Sequence, residues 1–235
     1  MPRAEEAIVL AGGLGTRLLN VVADLPKPLA PVAGRPFLAH LLDQLAAGGL
    51  RRVILATGYL AEKIEQTIGR RWAGLDIAYS TEPFPLGTGG AIRRAASLLQ
   101  GDGVHLANGD TFLRYDLQAL ERVVYASDAM LGIALARVTD VGRYGAVQVS
   151  GNRVTSFLEK GGHGPGLINA GSYFLSASGV ENLPADDGAY SFETRVLLPE
   201  AMAGRLAAYQ DTSDFIDIGI PDDYARAQHV LGHLA

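Results

Sequence analysis

The sequence predicts an α/β protein with an open, mixed but mostly parallel sheet and helices on both faces. Two observations carry that expectation. Short runs such as 7–11 (AIVLA) and 53–56 (VILA) contain no polar residue, whereas a strand with one wet face would alternate. Amphipathic helical stripes separate these runs through the first half of the chain, and a strand–helix repeat is the signature of parallel pairing.

The strand at 7–11 ends abruptly in Gly12-Gly13-Leu14-Gly15-Thr16-Arg17. Pro36 opens a helix whose Phe37, Leu38, Leu41, Leu42 and Leu45 share one stripe, and Gly48-Gly49 stops it. A strand at 53–56, a short helix at 60–68 and a strand at 75–79 follow. The window 88–99 reads as a helix with Ile92, Ala95, Ala96 and Leu99 on its apolar side. The strand at 104–107 then runs into Asn108-Gly109-Asp110.

Beyond a helix at 116–125 the texture changes. Strands at 130–137, 146–149 and 154–159 come in close succession, with Ser150-Gly151-Asn152 as a hairpin turn between the last two. A strand at 168–175 and a helix at 192–197 follow, the latter expected to be limited by Pro199. The run 215–218 (FIDI) is strand-like, and Pro221 leads a closing helix through Val230.

Composition narrows the function classes. A 235-residue chain that is 48% hydrophobic and 19% charged can bury a sizeable core. The absence of cysteine excludes disulfides, thiolate metal sites and a thiol nucleophile. A net charge of -5 disfavours a polynucleotide partner, yet small phosphorylated substrates remain compatible through local cations. The first six residues lack the apolar core of a secretory signal, and no apolar run reaches membrane-spanning length, so a cytoplasmic location is expected.

The glycine-rich turn is the first chemical signal. Glycines let successive amides converge on an anion, and the Arg17 guanidinium suits a triphosphate. The spacing is neither a dinucleotide fingerprint nor a Walker loop. A tight strand-to-helix turn with a surface arginine accounts for it equally well. Pro26-Lys27-Pro28 adds a lysine whose backbone is restrained on both sides, which would deliver a cation into a nearby cleft, although taken alone the motif reads better as a rigid loop with a solvated lysine.

Taken together, Leu10–Arg17, Leu25–Val32, Glu82–Ala91, Asn108-Gly109-Asp110, Phe157–Lys160, Asn169-Ala170-Gly171 and Phe215–Pro221 resemble, in order, the motifs of the sugar-phosphate nucleotidyltransferases. The resemblance spans nearly the whole chain. Within that family, Pro85–Ala91 and Phe215–Pro221 look most like members acting on D-glycero-α-D-manno-heptose 1-phosphate.

The resemblance implies a Rossmann-like domain with a small inserted sugar-binding β lobe. Residues 1–128 would serve mainly the nucleotide and 129–210 mainly the sugar, with 211–235 supplying a returning strand and helix. It also implies Mg²⁺, GTP, a sugar 1-phosphate and release of pyrophosphate. Nucleotide contacts are expected from Leu10, Ala11, Gly12, Gly13, Gly15, Thr16, Arg17, Glu82, Pro85, Gly87, Thr88, Asn108 and Gly109. Sugar-phosphate contacts are expected from Lys27, Gly145, Glu159, Lys160, Asn169 and Gly171. Arg17, Lys27, Asp110 and Asp217 are the expected catalytic set, with Asp110 and Asp217 as the Mg²⁺ ligands.

The chemistry accounts for these residue types. A phosphate nucleophile is already anionic near neutral pH, so alignment and charge cancellation matter more than a base. Mg²⁺ favours a few hard carboxylates together with substrate oxygens. Asp110 alone could be a loop-capping turn residue; Asp217, between two isoleucines, demands a partner.

Glu82 is the most discriminating position. A carboxylate offers two acceptors to the adjacent N1–H and N2–H₂ of guanine, while adenine presents it with an acceptor. None of the five histidines has metal-ligand spacing, and His105 reads as a core imidazole. Mannose 1-phosphate or glucose 1-phosphate as acceptor, with uridylyl or thymidylyl transfer in the latter case, is the nearest alternative. A non-catalytic sugar-nucleotide sensor would have lost one of the charged residues, and a dinucleotide oxidoreductase needs a different glycine pattern. A homo-oligomer is compatible with the sequence.

Overall fold

The computed structural model describes residues 3–13, 25–185 and 188–233. Its strands are β1 (Glu6–Leu10), β2 (Pro31–Val32), β3 (Arg35–Pro36), β4 (Arg52–Thr57), β5 (Arg71–Trp72), β6 (Leu75–Thr81) and β7 (Val104–Asn108). They continue as β8 (Thr111–Tyr115), β9 (Leu131–Val138), β10 (Val147–Ser150), β11 (Arg153–Phe157), β12 (Gly166–Leu175), β13 (Leu206–Tyr209) and β14 (Thr212–Asp217). The α-helices are α1 (Phe37–Ala47), α2 (Ala61–Ile68), α3 (Gly87–Ala96), α4 (Leu117–Ala126), α5 (Ala177–Glu181), α6 (Leu198–Met202) and α7 (Pro221–Gly232).

Ten strands form one mixed sheet in the order β10-β11-β13-β9-β12-β7-β1-β4-β6-β5. The sheet is mixed rather than mostly parallel: β1 pairs parallel with β4 and β7, and β4 with β6, in the first half, and only β13 with β9 does so in the second. The second half joins the same sheet through antiparallel pairing of β12 with β7 and β9. Alternate residues of the apolar strands serve different cores. Ile8 and Ile54 pack with Ile92 and Ala95 of α3, while Val9, Val53 and Leu55 pack with Leu38, Leu41 and Leu42 of α1. Burial on both faces is why these strands do not alternate, each Ile or Leu contributing roughly 1.5–3 kcal/mol.

β1 occupies a topological switch point. The chain leaves it toward β4 on one side and later returns to β7 on the other, so the two exit loops diverge and open a crevice at the carboxyl ends. A separate two-stranded ribbon pairs β8 with β14 and lays Asp217 opposite Thr111. Ile216 and Ile218 are fully buried with Phe112, Ala227 and Leu231. Strand alternation therefore turns Asp217, between them, toward the opposite face.

The expected helix at 88–99 runs instead from Gly87 to Ala96. Pro199 does not end the helix before it. A π-helical turn, Glu193–Leu197, leads directly into α6, so Pro199 sits inside a continuous helical run just after the wider π turn. Strands β8 and β13 and helix α5 were not expected. No helix among the described residues is long and apolar enough to cross a membrane.

Candidate active site

Two cavities open at the carboxyl ends of β1 and β7. The larger, about 700 Å³, is lined by Leu10, Ala11, Gly12 and Gly13 beyond β1, by Glu82, Pro85, Gly87 and Thr88 beyond β6, and by Lys27, Asn108 and Asp110. The smaller, about 380 Å³, is lined by Lys27, Asn108, Asp110, Thr111, Tyr144, Lys160, Asn169, Gly171, Tyr173, Glu193 and Asp217, among others. Lys27, Asn108 and Asp110 belong to both. They form the junction.

Local structure accounts for the convergence. Pro26, Pro28 and a short 3₁₀ turn over Lys27–Leu29 fix the lysine backbone, and buried Pro28 and Leu29 anchor it. The Lys27 Nζ donates to Asp110 Oδ2 at 2.6 Å. Asp110 lies just past β7, and its carbonyl accepts from the Ile218 N–H at 3.1 Å, which ties it to the ribbon carrying Asp217. The Asp217 Oδ1 accepts from the Gly219 N–H at 2.7 Å. Burial, and next the neighbouring Asp110 carboxylate, hold the Asp217 pKa above the ordinary carboxylate range; Lys27 and the Gly219 N–H oppose the shift. Asp110 and Asp217 thus face one cavity and feel each other's charge.

The donor set suits a hard divalent cation. Among the described residues no group of three or more His, Asp or Glu could enclose a metal. Mg²⁺ does not need one, since it commonly binds one or two carboxylates and takes its remaining ligands from water and phosphate. Around the smaller cavity Asp110, Asp217 and Glu193 outnumber Lys27 and Lys160. An anionic substrate entering there gains from an added positive charge, and Asp110 and Asp217 are the residues that would hold it.

Glu82 sits at the base of the larger cavity. Its Oε2 accepts from the Leu86 N–H at 2.7 Å, and its backbone N–H donates to Thr57 O at 2.8 Å. The Gly12 position is tight: a Cβ there would lie 3.0 Å from Glu82 Oε1 and 3.2 Å from the Gly58 nitrogen. One carboxylate oxygen is thus committed to the backbone, which orients the side chain and leaves Oε1 beside the glycine turn. Gly87 has φ +68°, and a Cβ there would meet Tyr190 O at 2.5 Å, so both conformation and space require glycine.

In the smaller cavity, a register shift in β12 between Asn169 and Ser172 leaves Ala170 and Gly171 outside the ladder, while Asn169 stays paired with Leu135. The Asn169 Oδ1 accepts from the Gly171 N–H and the Tyr173 hydroxyl, both at 2.9 Å.

Other expected site residues are distributed differently. Gly109 is buried and lines neither cavity; its N–H donates to Leu10 O at 2.8 Å. Glu159 and Gly145 do not line the smaller cavity, although Lys160 and Tyr144 beside them do. Gly15, Thr16 and Arg17 lie outside the described residues. Sequence reasoning missed Tyr144, Tyr173, Glu193 and, at the mouth of the larger cavity, Tyr59 and Phe84. The last two are 51% and 57% exposed, but exposure has no sequence signature.

Residues 6–232 match the nucleotidyl transferase family. The chain belongs to that family. Among relatives of this nucleotidyl transferase, the D-glycero-alpha-D-manno-heptose 1-phosphate guanylyltransferase of Aneurinibacillus thermoaerophilus is 42% identical over 97% of this chain and 99% of its own length. The mannose-1-phosphate guanylyltransferase of Mycobacterium tuberculosis is 38% identical over 94% of this chain and 63% of its own. The crystal structure of HddC from Yersinia pseudotuberculosis superposes with a TM-score of 0.84 at 36% identity, covering 97% of this chain and 99% of that one. The same protein has also been solved complexed with GMP-PN.

Proposed function

We propose that this nucleotidyl transferase moves GMP from GTP to a sugar 1-phosphate, with D-glycero-α-D-manno-heptose 1-phosphate as the preferred acceptor. The observation that carries this reading is the junction where two cavities share Lys27, Asn108 and Asp110, with Asp217 lining the smaller one. A phosphate held in each cavity would meet its counterpart there. Full-length relatedness to a heptose 1-phosphate guanylyltransferase supports both the nucleotide and the acceptor.

In this reading the larger cavity takes GTP, with Glu82 accepting from the guanine edge through Oε1 and the free capacity of Oε2. The smaller cavity takes the acceptor, with Asn169 near sugar hydroxyls and Lys160 near its phosphate. An acceptor phosphate oxygen attacks the α-phosphorus, the bond to the β-phosphate breaks, and pyrophosphate carries away the electron pair. The Lys27 ammonium neutralises the crowded phosphates. Asp110 and Asp217 would hold Mg²⁺, which would supply further positive charge to offset the phosphates. No side chain needs to accept a proton, because the attacking phosphate is already ionised near neutral pH.

The division of labour follows the chain: residues 1–128 serve mainly the nucleotide, 129–210 mainly the acceptor, and 211–235 return Asp217 to the junction. A cytoplasmic setting, where GTP is available, completes the reading. The test is pyrophosphate release with GTP, UTP or dTTP against heptose, mannose and glucose 1-phosphates. GTP with heptose 1-phosphate should give the highest kcat/KM. A preference for UTP or dTTP would overturn the role of Glu82, and a preference for mannose 1-phosphate would overturn the acceptor.

A further inference from the structure

Thr88 lines the larger cavity from the first turn of α3, yet its hydroxyl is spent on Phe192 and Glu193, the latter a wall residue of the smaller cavity. The Thr88 Oγ1 donates to Glu193 Oε2 at 2.7 Å and accepts from the Phe192 N–H at 2.9 Å. Ser191 Oγ donates to the same Glu193 oxygen at 2.8 Å. A hydroxyl has one proton to give, and here it goes to a carboxylate that lines the acceptor cavity.

The backbone repeats the tie. The Tyr190 N–H donates to Leu86 O at 3.0 Å, and the Gly89 N–H donates to Tyr190 O at 2.9 Å. A Cβ at Gly89 would lie 2.0 Å from the Tyr190 ring. The small residues of the Gly87–Gly90 segment therefore let the acceptor half seat directly on the start of α3. Glu193 begins the π-helical turn, an irregularity frequently found at functional sites.

We propose that Thr88 and Glu193 are positioning residues that couple nucleotide binding to acceptor binding. A nucleotide held against the first turn of α3 fixes Thr88, and Thr88 with Ser191 fixes Glu193 before the acceptor arrives. The second ligand then orders less of the site and binds more tightly, and the effect is reciprocal. This inference rests on the guanylyltransferase reading.

The test measures affinity for D-glycero-α-D-manno-heptose 1-phosphate and mannose 1-phosphate by calorimetry, with and without Mg²⁺ and the α,β-methylene analogue of GTP. In the wild type the analogue should tighten acceptor binding by about 10-fold, within the ordinary range of site-to-site coupling. Thr88→Val should reduce that ratio to about 2-fold or less, and Thr88→Ser should restore it. In steady state Thr88→Val should raise the KM for acceptor more than it lowers kcat, whereas mere loosening of the fold would not be rescued selectively by serine. Should Thr88→Val fail to fold, Ser191→Ala removes the second hydroxyl on Glu193 and should lower the coupling by about 3-fold. A wild-type protein that binds both ligands independently, or a Thr88→Val or Ser191→Ala protein with full coupling, overturns the proposal. A wild-type protein that does not bind the GTP analogue overturns the functional reading itself.

Discussion

Replacing Lys27 by methionine should move two properties in opposite directions. Methionine keeps the length and apolar stem of the side chain and removes only the ammonium. In the protein without ligands that ammonium donates to Asp110 Oδ2 at 2.6 Å, with the two side chains 16% and 35% exposed. It would therefore compete with a divalent cation bound at Asp110. Two unit charges about 4 Å apart in water interact by about 1 kcal/mol, and a divalent ion doubles that. Removing the competing charge should tighten Mg²⁺ binding by up to about 2 kcal/mol, or roughly 30-fold. On the proposed reading turnover should fall steeply, because the same ammonium would neutralise the two phosphates where they meet. The protein without metal should also lose stability, since Asp110 and Asp217 then face each other without a neutralising partner. Mg²⁺ titration by calorimetry, Mg²⁺-dependent Tm shifts and pyrophosphate release separate these effects. Unchanged or weaker Mg²⁺ binding in Lys27→Met would refute the competition, and unchanged turnover would remove Lys27 from the reaction.

Three further outcomes can be measured. Glu82→Gln should lower the ratio of kcat/KM for GTP over UTP by roughly 10- to 100-fold, the loss of one charge-assisted hydrogen bond; an unchanged ratio would mean the base is read elsewhere. Phe84→Ala should raise the KM for GTP about 10-fold with little change in kcat, because an aromatic face 57% exposed at the nucleotide mouth is placed to stack on the base; an unaffected KM would leave Phe84 as chance exposure. For Asp217, the proton held preferentially by the folded state contributes stability that is present below the unfolded carboxyl pKa and lost as pH rises through the folded one. Tm measured without Mg²⁺ should therefore fall across that window, and Asp217→Asn should flatten the fall while abolishing Mg²⁺-dependent turnover. A parallel pH profile in the variant would refute the assignment of that loss to Asp217.

The parallel half of the fold is legible because its signals are local. Apolar runs, helical stripes and the Gly48-Gly49 stop each act over a few residues. Strand β8 is harder to see, for Thr111–Tyr115 follows β7 after only two intervening residues and pairs with a partner more than ninety positions away. The same holds for Glu193, which looks like any acidic residue at the start of a helix until Thr88 and Ser191 are brought against it. Asp217 was readable because strand alternation leaves a carboxylate between two buried isoleucines with only one face to occupy. Gly109 shows the opposite limit. Its motif neighbours Asn108 and Asp110 line both cavities, but the turn that aims them spends the Gly109 N–H on Leu10.

In the proposed reading, the arrangement of charge around the smaller cavity would make both substrates and a cation necessary together. Three carboxylates against two lysines would repel a lone sugar phosphate, and the Asp217 carboxyl, raised in pKa first by burial and next by Asp110, adds a buried charge to that set. A more stable protein would neutralise one of them, and Asp217→Asn is the simplest such change. Retaining both carboxylates would keep the junction attractive to Mg²⁺ and uninviting to an acceptor that arrives without it, a trade of stability for dependence on the complete set of partners. The Lys27–Asp110 contact then acts as a placeholder. It relieves part of the repulsion in the unliganded protein, and Lys27, which lines both cavities, would be available to phosphate if a divalent ion were held at Asp110.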